Sequence, residues 1–529
     1  MDRRCGVLLP VTSLPSRYGI GCFSKEAYEF VDFLAQAGQT YWQILPLGQT
    51  GYGDSPYQSF STFAGNPYFI DPEALIEAGY IDRSTAEQFD FGKEPRAVDY
   101  EKIYRNRYAL LRKAYANSPY CLRPSEKWAD AAYDKERKAF NRFKGDNEAW
   151  LADYALFSAV KEYFDGDMFT MWPEDIRLRN KLAMDSYRIK LDEEIRFYEF
   201  LQFLFEQQWK KLKEYANEKG IRIIGDIPIY VAFDSADTWS HPELFELDEK
   251  GFPTVVAGVP PDAFSATGQL WGNPIYRWKH HEATGFDWWM RRLEQMFHLY
   301  DVVRIDHFRG FDAYWAVPYG AKDAMKGRWY KGPGYSLFAV MKERLGNRDI
   351  IAEDLGYLTK SVLRLVKRTG YPGMKVLQFA FEADADNAYL PHNYTKNAVV
   401  YTGTHDNDTT RGWYTSSSAE QLEHINKYAD IRCSQTAVWD LIRLAMRSVA
   451  DTAVIPIQDY LDIGSAGRIN TPSTLGGNWC WRLLPGELTE DLAAKMKEFA
   501  QIYGRISKKQ VKYRRKNCEF SLDGFARLW

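Results

Sequence analysis

Asp301–Phe308 reads DVVRIDHF, a short β-branched run that breaks off in charge. A near-continuous apolar stretch of this length suits a strand buried on both faces of a parallel sheet. Successive strand residues alternate faces, so Arg304 and Asp306 share one. A guanidinium beside the carboxylate is expected to hold Asp306 ionised at neutral pH. His307 falls on the other face and is expected to pack against the wall of the sheet. Seven more runs of the same kind flank this one. They are Cys5–Pro10, Thr40–Pro46, Ile221–Val231, Asp349–Gly356, Val376–Phe381, Ala398–His405 and Ala453–Tyr460. Helical periodicity fills most of the gaps, at Lys25–Ala37, Ile195–Lys219, Trp288–Leu299, Leu337–Leu345, Lys360–Arg368 and Ala437–Val449. Only the gap before the seventh run lacks it. Eight runs alternating with helices predict an α/β fold closed into a (β/α)8 TIM barrel, since an open sheet of that width would leave edges to explain.

The chain has 529 residues, enough for three or four domains at ~100–200 residues each. The runs span nearly all of it, so the expectation is one catalytic barrel domain over 1–529. About 175 residues separate the second and third runs and about 70 the third and fourth. A crossover commonly needs only ~10–30, which predicts large helical and loop insertions after strands 2 and 3. The first insertion, about 50–200, is helix-rich, most clearly over Thr85–Glu194; the second covers about 232–285. Within the second, Asp248–Gly272 is rich in Gly and Pro without periodicity and reads as a long loop.

Composition narrows the function classes. Hydrophobic residues at 45% and charged residues at 26% are ordinary globular usage and exclude long disorder. A net charge of −3 leaves no electrostatic footprint for nucleic acid or an anionic membrane. Six scattered cysteines, Cys5, Cys22, Cys121, Cys433, Cys480 and Cys518, have neither disulfide nor zinc spacing. With no signal-peptide pattern at the start and no run of ~18 apolar residues, a cytoplasmic protein is expected. A core can absorb many of the 17 Trp, 35 Tyr and 31 Phe, and the excess also suits a groove lined with flat apolar faces.

Functional side chains of a parallel barrel come from the C-terminal ends of its strands. There the sequence offers Asp226 in Gly225–Pro228, Arg304 and Asp306, Glu353 in Ala352–Asp354, and His405 and Asp406 in Thr404–Asp408. Carboxylates converging from separate strands are what glycosidic chemistry requires. One must be ionised to attack the anomeric carbon, another protonated to release the leaving oxygen. Any single one could instead cap a helix, and the set could hold Mg²⁺, although Arg304 beside Asp306 opposes a metal. No phosphate-cradling glycine motif occurs, and no cofactor or metal is implied.

VRIDHFRGF at Val303–Phe311, IAEDLG at Ile351–Gly356 and YTGTHDNDT at Tyr401–Thr409 together resemble the 4-α-glucanotransferases. These are the amylomaltases or disproportionating enzymes of glycoside hydrolase family 77, in the α-amylase superfamily. Gly51–Asp71, Gly225–Trp239, Val255–Trp278 and GNWCWR at Gly477–Arg482 carry the same resemblance, which spans nearly the whole chain and is weakest over roughly Arg83–Glu194. The resemblance implies a retaining double displacement through a covalent glucosyl-enzyme intermediate. Asp306 would be the nucleophile, Glu353 the general acid and then base, and Asp406 the transition-state stabiliser. Retention implies that the two reacting carboxyls lie ~5–5.5 Å apart. Arg304, His405, Asp226 and Tyr57 would hold the reacting glucose, Tyr57 as a stacking platform. Trp271 and the loop Pro260–Gly268 would cover the acceptor side, and Tyr52 would belong to a second glucan-contacting surface. The substrates implied are α-1,4-glucans, maltooligosaccharides and amylose, as donor and acceptor. An α-glucan hydrolase on the same barrel and a glucan-binding protein without turnover remain the competing readings.

Overall fold

The computed structural model describes residues 3–51, 53–124, 128, 133–261, 265–356, 358–381 and 385–506. Its strands, in chain order, are β1 (Arg4–Leu8), β2 (Tyr41–Gln43), β3 (Arg222–Pro228), β4 (Val255–Val259), β5 (Gln269–Pro274) and β6 (Val302–Asp306). There follow β7 (Ala313–Pro318), β8 (Arg328–Lys331), β9 (Ile350–Ala352), β10 (Gly373–Val376), β11 (Ala398–Tyr401) and β12 (Thr452–Pro456). Eight of them close a parallel barrel in the order β1-β12-β11-β10-β9-β6-β3-β2. Leu8, Ile224, Val302, Ile351, Met374, Val399 and Val454 fill its lumen, and the alternate residues face the helices outside. On β6 the alternation is direct: Val302 points into the lumen, and Val303 and Ile305 pack outward. Gly225 on β3 has a steric reason, because a Cβ there would lie 2.1 Å from the Tyr300 ring.

Helices precede most barrel strands, at Lys25–Gln36, Asp192–Glu218, Asp287–Leu299, Tyr335–Leu345, Lys360–Thr369 and Ala437–Arg447. Before β11 the described residues hold only 3₁₀ turns, Leu377–Phe379 and Pro391–Asn393. The sixth run differs from expectation. The strand is Gly373–Val376, and the apolar residues that follow it turn into Leu377–Phe379. Leu377, Ala380 and Phe381 are buried against the outer core, and burial in a turn reads the same as burial in a strand.

Between β2 and β3 lie helices including Tyr100–Ala116, Asp134–Asp146, Glu148–Tyr163 and Lys181–Lys190, gathered on the long helix Asp192–Glu218. The stretch expected to be a loop, Asp248–Gly272, instead carries β4 and the start of β5. These join β7 and β8 in an antiparallel sheet ordered β5-β4-β7-β8, so a third insertion follows β6. A register shift between Val256 and Gly258 breaks the alternation, and Gly268 and Gly272 take positive φ, which hid both strands from the sequence.

At the barrel's floor two arginines clasp the turn before β12. Arg3 donates to the carbonyls of Met446 and Ser448 at 2.9 and 2.8 Å. Arg505, fully buried, donates to those of Met446, Arg4 and Ala450 at 2.8, 2.9 and 3.0 Å. Among the described residues no helix is long and apolar enough to cross a membrane.

Candidate active site

Three strand ends at the barrel mouth deliver the carboxylates. β6 ends at Asp306, β9 passes directly into Glu353, and the turn after β11 presents His405 and Asp406. Asp226 lies inside β3, opposite Arg304 in the β3–β6 register. Arg304 Nη1 bridges the carboxylates on either side, reaching Asp226 Oδ1 and Oδ2 at 2.7 and 2.6 Å and Asp306 Oδ1 at 3.0 Å. Its Nε rests on Met374 Sδ in the lumen at 3.3 Å. Burial alone would lower the pKa of this guanidinium, but Asp226 and Asp306 outweigh it and raise it well above the ordinary value.

Tyr57 joins the same cluster. Its hydroxyl lies 2.8 Å from Asp226 Oδ2 and 2.8 Å from His405 Nε2. Asp226 as a carboxylate only accepts, so the hydroxyl proton goes to it and His405 Nε2–H donates to the phenol oxygen. His405 Nδ1 is buried without a hydrogen-bond partner, so the ring joins the cluster through Nε2. The Tyr57 ring stacks on His405 at 5.3 Å and 18°, with Trp479 beside both rings at 5.9 and 6.0 Å.

Glu353 is held at both oxygens by backbone N–H groups, from His307 to Oε2 at 2.7 Å and from Leu355 to Oε1 at 2.8 Å. Burial, together with the neighbouring charge on Asp306, outweighs those donors and pushes its pKa up to about 8. Asp306 is also raised, to about 6: burial outweighs the pull of Arg304, and Asp226 and Asp406 add to the rise. Burial lifts Asp306 despite Arg304, whose guanidinium is shared with Asp226, yet at about 6 the carboxyl is still largely ionised at neutral pH. The two carboxyls still separate in the useful sense, with Glu353 the weaker acid.

His307 departs from its expectation too. Its φ of +52° ends the strand, so its ring does not continue the alternation into the barrel wall. It lies edge-on to Trp271 at 4.8 Å and 6.3 Å from Tyr230, among the loops of the mouth. Trp271 sits on β5, its Nε1 donating to Gln269 at 3.1 Å. Tyr52 and residues 262–264 of the Pro260–Gly268 loop lie outside the described residues, as does Cys518.

Two residues of the site had no signal in the sequence. Asn470 Nδ2 donates to Asp406 Oδ1 at 2.6 Å, and its N–H donates to the His405 carbonyl at 3.1 Å. Arg468 donates to the Asp406 carbonyl at 3.0 Å. Both arrive on the segment after β12, just before GNWCWR, and that proximity was the only available pointer.

Comparison with known proteins adds three findings. A family model described as 4-alpha-glucanotransferase matches residues 9–488. The chain is 50% identical over 497 residues to the 4-alpha-glucanotransferase of Clostridium butyricum, covering 94% of this chain and 99% of that one. It is also similar to a solved amylomaltase from Streptococcus agalactiae in complex with acarbose, at 42% identity and a TM-score of 0.91, over 96% of this chain and 100% of that one.

Proposed function

The chain belongs to the 4-α-glucanotransferase family, transferases of α-1,4-glucans, and from that premise we propose that it moves glucan segments between maltooligosaccharides by a retaining double displacement. The observation that carries this reading is the pair of raised carboxyls, Glu353 above Asp306, beside a shared guanidinium.

In the first step an Asp306 carboxylate oxygen attacks the anomeric carbon of the bound donor. Glu353 gives its proton to the glycosidic oxygen as that bond breaks, and the shortened glucan leaves with a free 4-hydroxyl. In the second step Glu353, now a carboxylate, removes the proton from an acceptor's 4-hydroxyl. The acceptor oxygen then displaces Asp306 from the anomeric carbon, restoring the original configuration. Asp406, oriented by Asn470, faces the oxocarbenium-like transition state. The Arg304–Asp226–Tyr57–His405 cluster fixes the reacting ring, and Trp271 lines the acceptor side. Free cysteines throughout the described chain support a cytoplasmic setting.

Incubation with maltotriose, with and without a chelator, tests the reading. Glucose together with products longer than maltotriose, unchanged by chelator, is the expected result. Glucose and maltose alone would make the reaction hydrolysis and overturn it.

A further inference from the structure

Arg304 lies inside the barrel, 2% exposed, where a buried N–H must find an acceptor or cost stability. Its Nη1 is taken by Asp226 and Asp306. Its Nε donates to Met374 Sδ at 3.3 Å, and Met374 is itself only 1% exposed. A thioether is a weak acceptor, yet no other partner meets Nε among the described residues.

The sulfur is held in place from the acid's side of the site. β6 and β10 flank β9 in the barrel, so Arg304 and Met374 approach each other across that strand's lumen face. Met374 N–H donates to Asp354 Oδ1 at 2.7 Å. A Cβ on Gly373 would lie 2.4 Å from Asp354 Oδ2, so this carboxylate seats against bare backbone. Asp354 directly follows Glu353 in the chain. One methionine therefore ties the strand end that carries the acid to the guanidinium that serves the nucleophile.

We propose that Met374 is a positioning residue for the transfer reaction: its sulfur fixes the turn of the Arg304 guanidinium that keeps Nη1 on Asp306. This role rests on the glucan-transfer reading, in which Asp306 attacks. A neutral acceptor suits the place. A carboxylate there would compete for the charge that Asp306 needs, and an alkyl chain would leave Nε–H buried with nothing to accept it. The two aspartates do not share Nη1 equally. Asp226 holds it through both oxygens at 2.7 and 2.6 Å and is fully buried. Asp306 holds it through one oxygen at 3.0 Å, and its side chain is 30% exposed. A guanidinium released from the sulfur therefore stays with Asp226 and gives up Asp306. Around Asp306 stand Asp226, Glu353, Tyr57, His405 and Asp406, and Arg304 does more than His405 to favour its charge. Losing Nη1 raises the pH at which Asp306 ionises.

The pH dependence of kcat/KM, read from initial glucose release on maltotriose, tests this role in the full-length protein. Met374→Leu keeps the volume and removes the acceptor, and the lower limb is expected to move up by about half a unit or more. Met374→Gln offers an amide oxygen and should return the limb to the parent's position. Met341→Leu, a buried change on the helix Tyr335–Leu345, should leave it in place. The midpoint of a limb does not depend on how much of the protein is folded, so lost stability does not imitate the shift. An unmoved limb in Met374→Leu, or an equal shift in Met374→Gln, overturns the role. Should Met374→Leu be inactive, Met374→Gln decides alone. The parent's limb then upholds the sulfur's role, and a raised limb or no activity overturns it. Product lengths are read in the same runs. Glucose without products longer than maltotriose in the parent overturns transfer and leaves the limb readable, since hydrolysis begins with the same attack by Asp306.

Discussion

Glu353 is the residue on which the pH response turns. It must carry a proton to release the leaving oxygen, whereas Asp306 must have lost its own to attack. Asp306 is raised to about 6 by burial, and Glu353 to about 8 by burial and by the charge on Asp306. Maltotriose disproportionation is therefore expected to rise as pH climbs through about 6 and to fall as it climbs through about 8. The two limbs belong to the coupled pair, not to either residue alone. The assignment of the upper limb has its own check. An α-maltosyl fluoride donor needs no proton on its leaving group, so its initial rate should hold above pH 8. A fall identical to that with maltotriose would remove Glu353 from the acid role.

At the scale of elements, the segment after β12 brings Asn470 and Arg468 back across the mouth to Asp406. Asn470→Ala frees one carboxylate oxygen and is expected to lower kcat about tenfold, ~1.4 kcal/mol of barrier, with a smaller change in KM. Asn470→Asp, which sets a like charge against Asp406, should lower it further. Steady-state kinetics on maltotriose separate these outcomes from a general loss of fold, which would reduce active-site titre and leave KM alone. This clasp also shows what a sequence carries and what it does not. Seven of the eight barrel strands were legible because each is buried on both faces and writes that burial as an apolar run, whereas the sixth run, Val376–Phe381, meets β10 only at Val376. Asp226, Arg304, Asp306, Glu353, His405 and Asp406 were legible because strand ends announce them. Asn470 was not, since its role is a contact over 64 residues of chain with no local pattern. The β4–β5 hairpin failed for a different reason, a bulge and two left-handed glycines that erase the alternation. The left-handed turn at His307 was equally invisible, because nothing in DVVRIDHF marks where alternation stops.

For the whole molecule, the barrel is fastened at the end opposite its chemistry. The Arg505 guanidinium is surrounded by carbonyls of Arg4, Met446, Ser448, Ala450 and Asp451. Burial lowers its pKa to about 10, which leaves it charged at neutral pH. Arg505→Ala leaves those carbonyls buried without their donor and is expected to cost about 2–4 kcal/mol. Differential scanning calorimetry should show Tm lowered by several degrees, while the maltotriose product pattern at 25 °C stays that of the parent. A changed pattern would mean that the floor and the mouth are coupled. The closure that Arg505 fastens also sets an order of events during synthesis. β1 pairs with β2 on one side and with β12 on the other, joining residues 4–8 to 452–456. At ~5–20 residues per second the ribosome takes roughly 20–90 s to make the chain between them. Throughout that interval the open edge of β1 presents bare N–H and C=O groups to its surroundings, and the strand that covers them is the last of the barrel to appear.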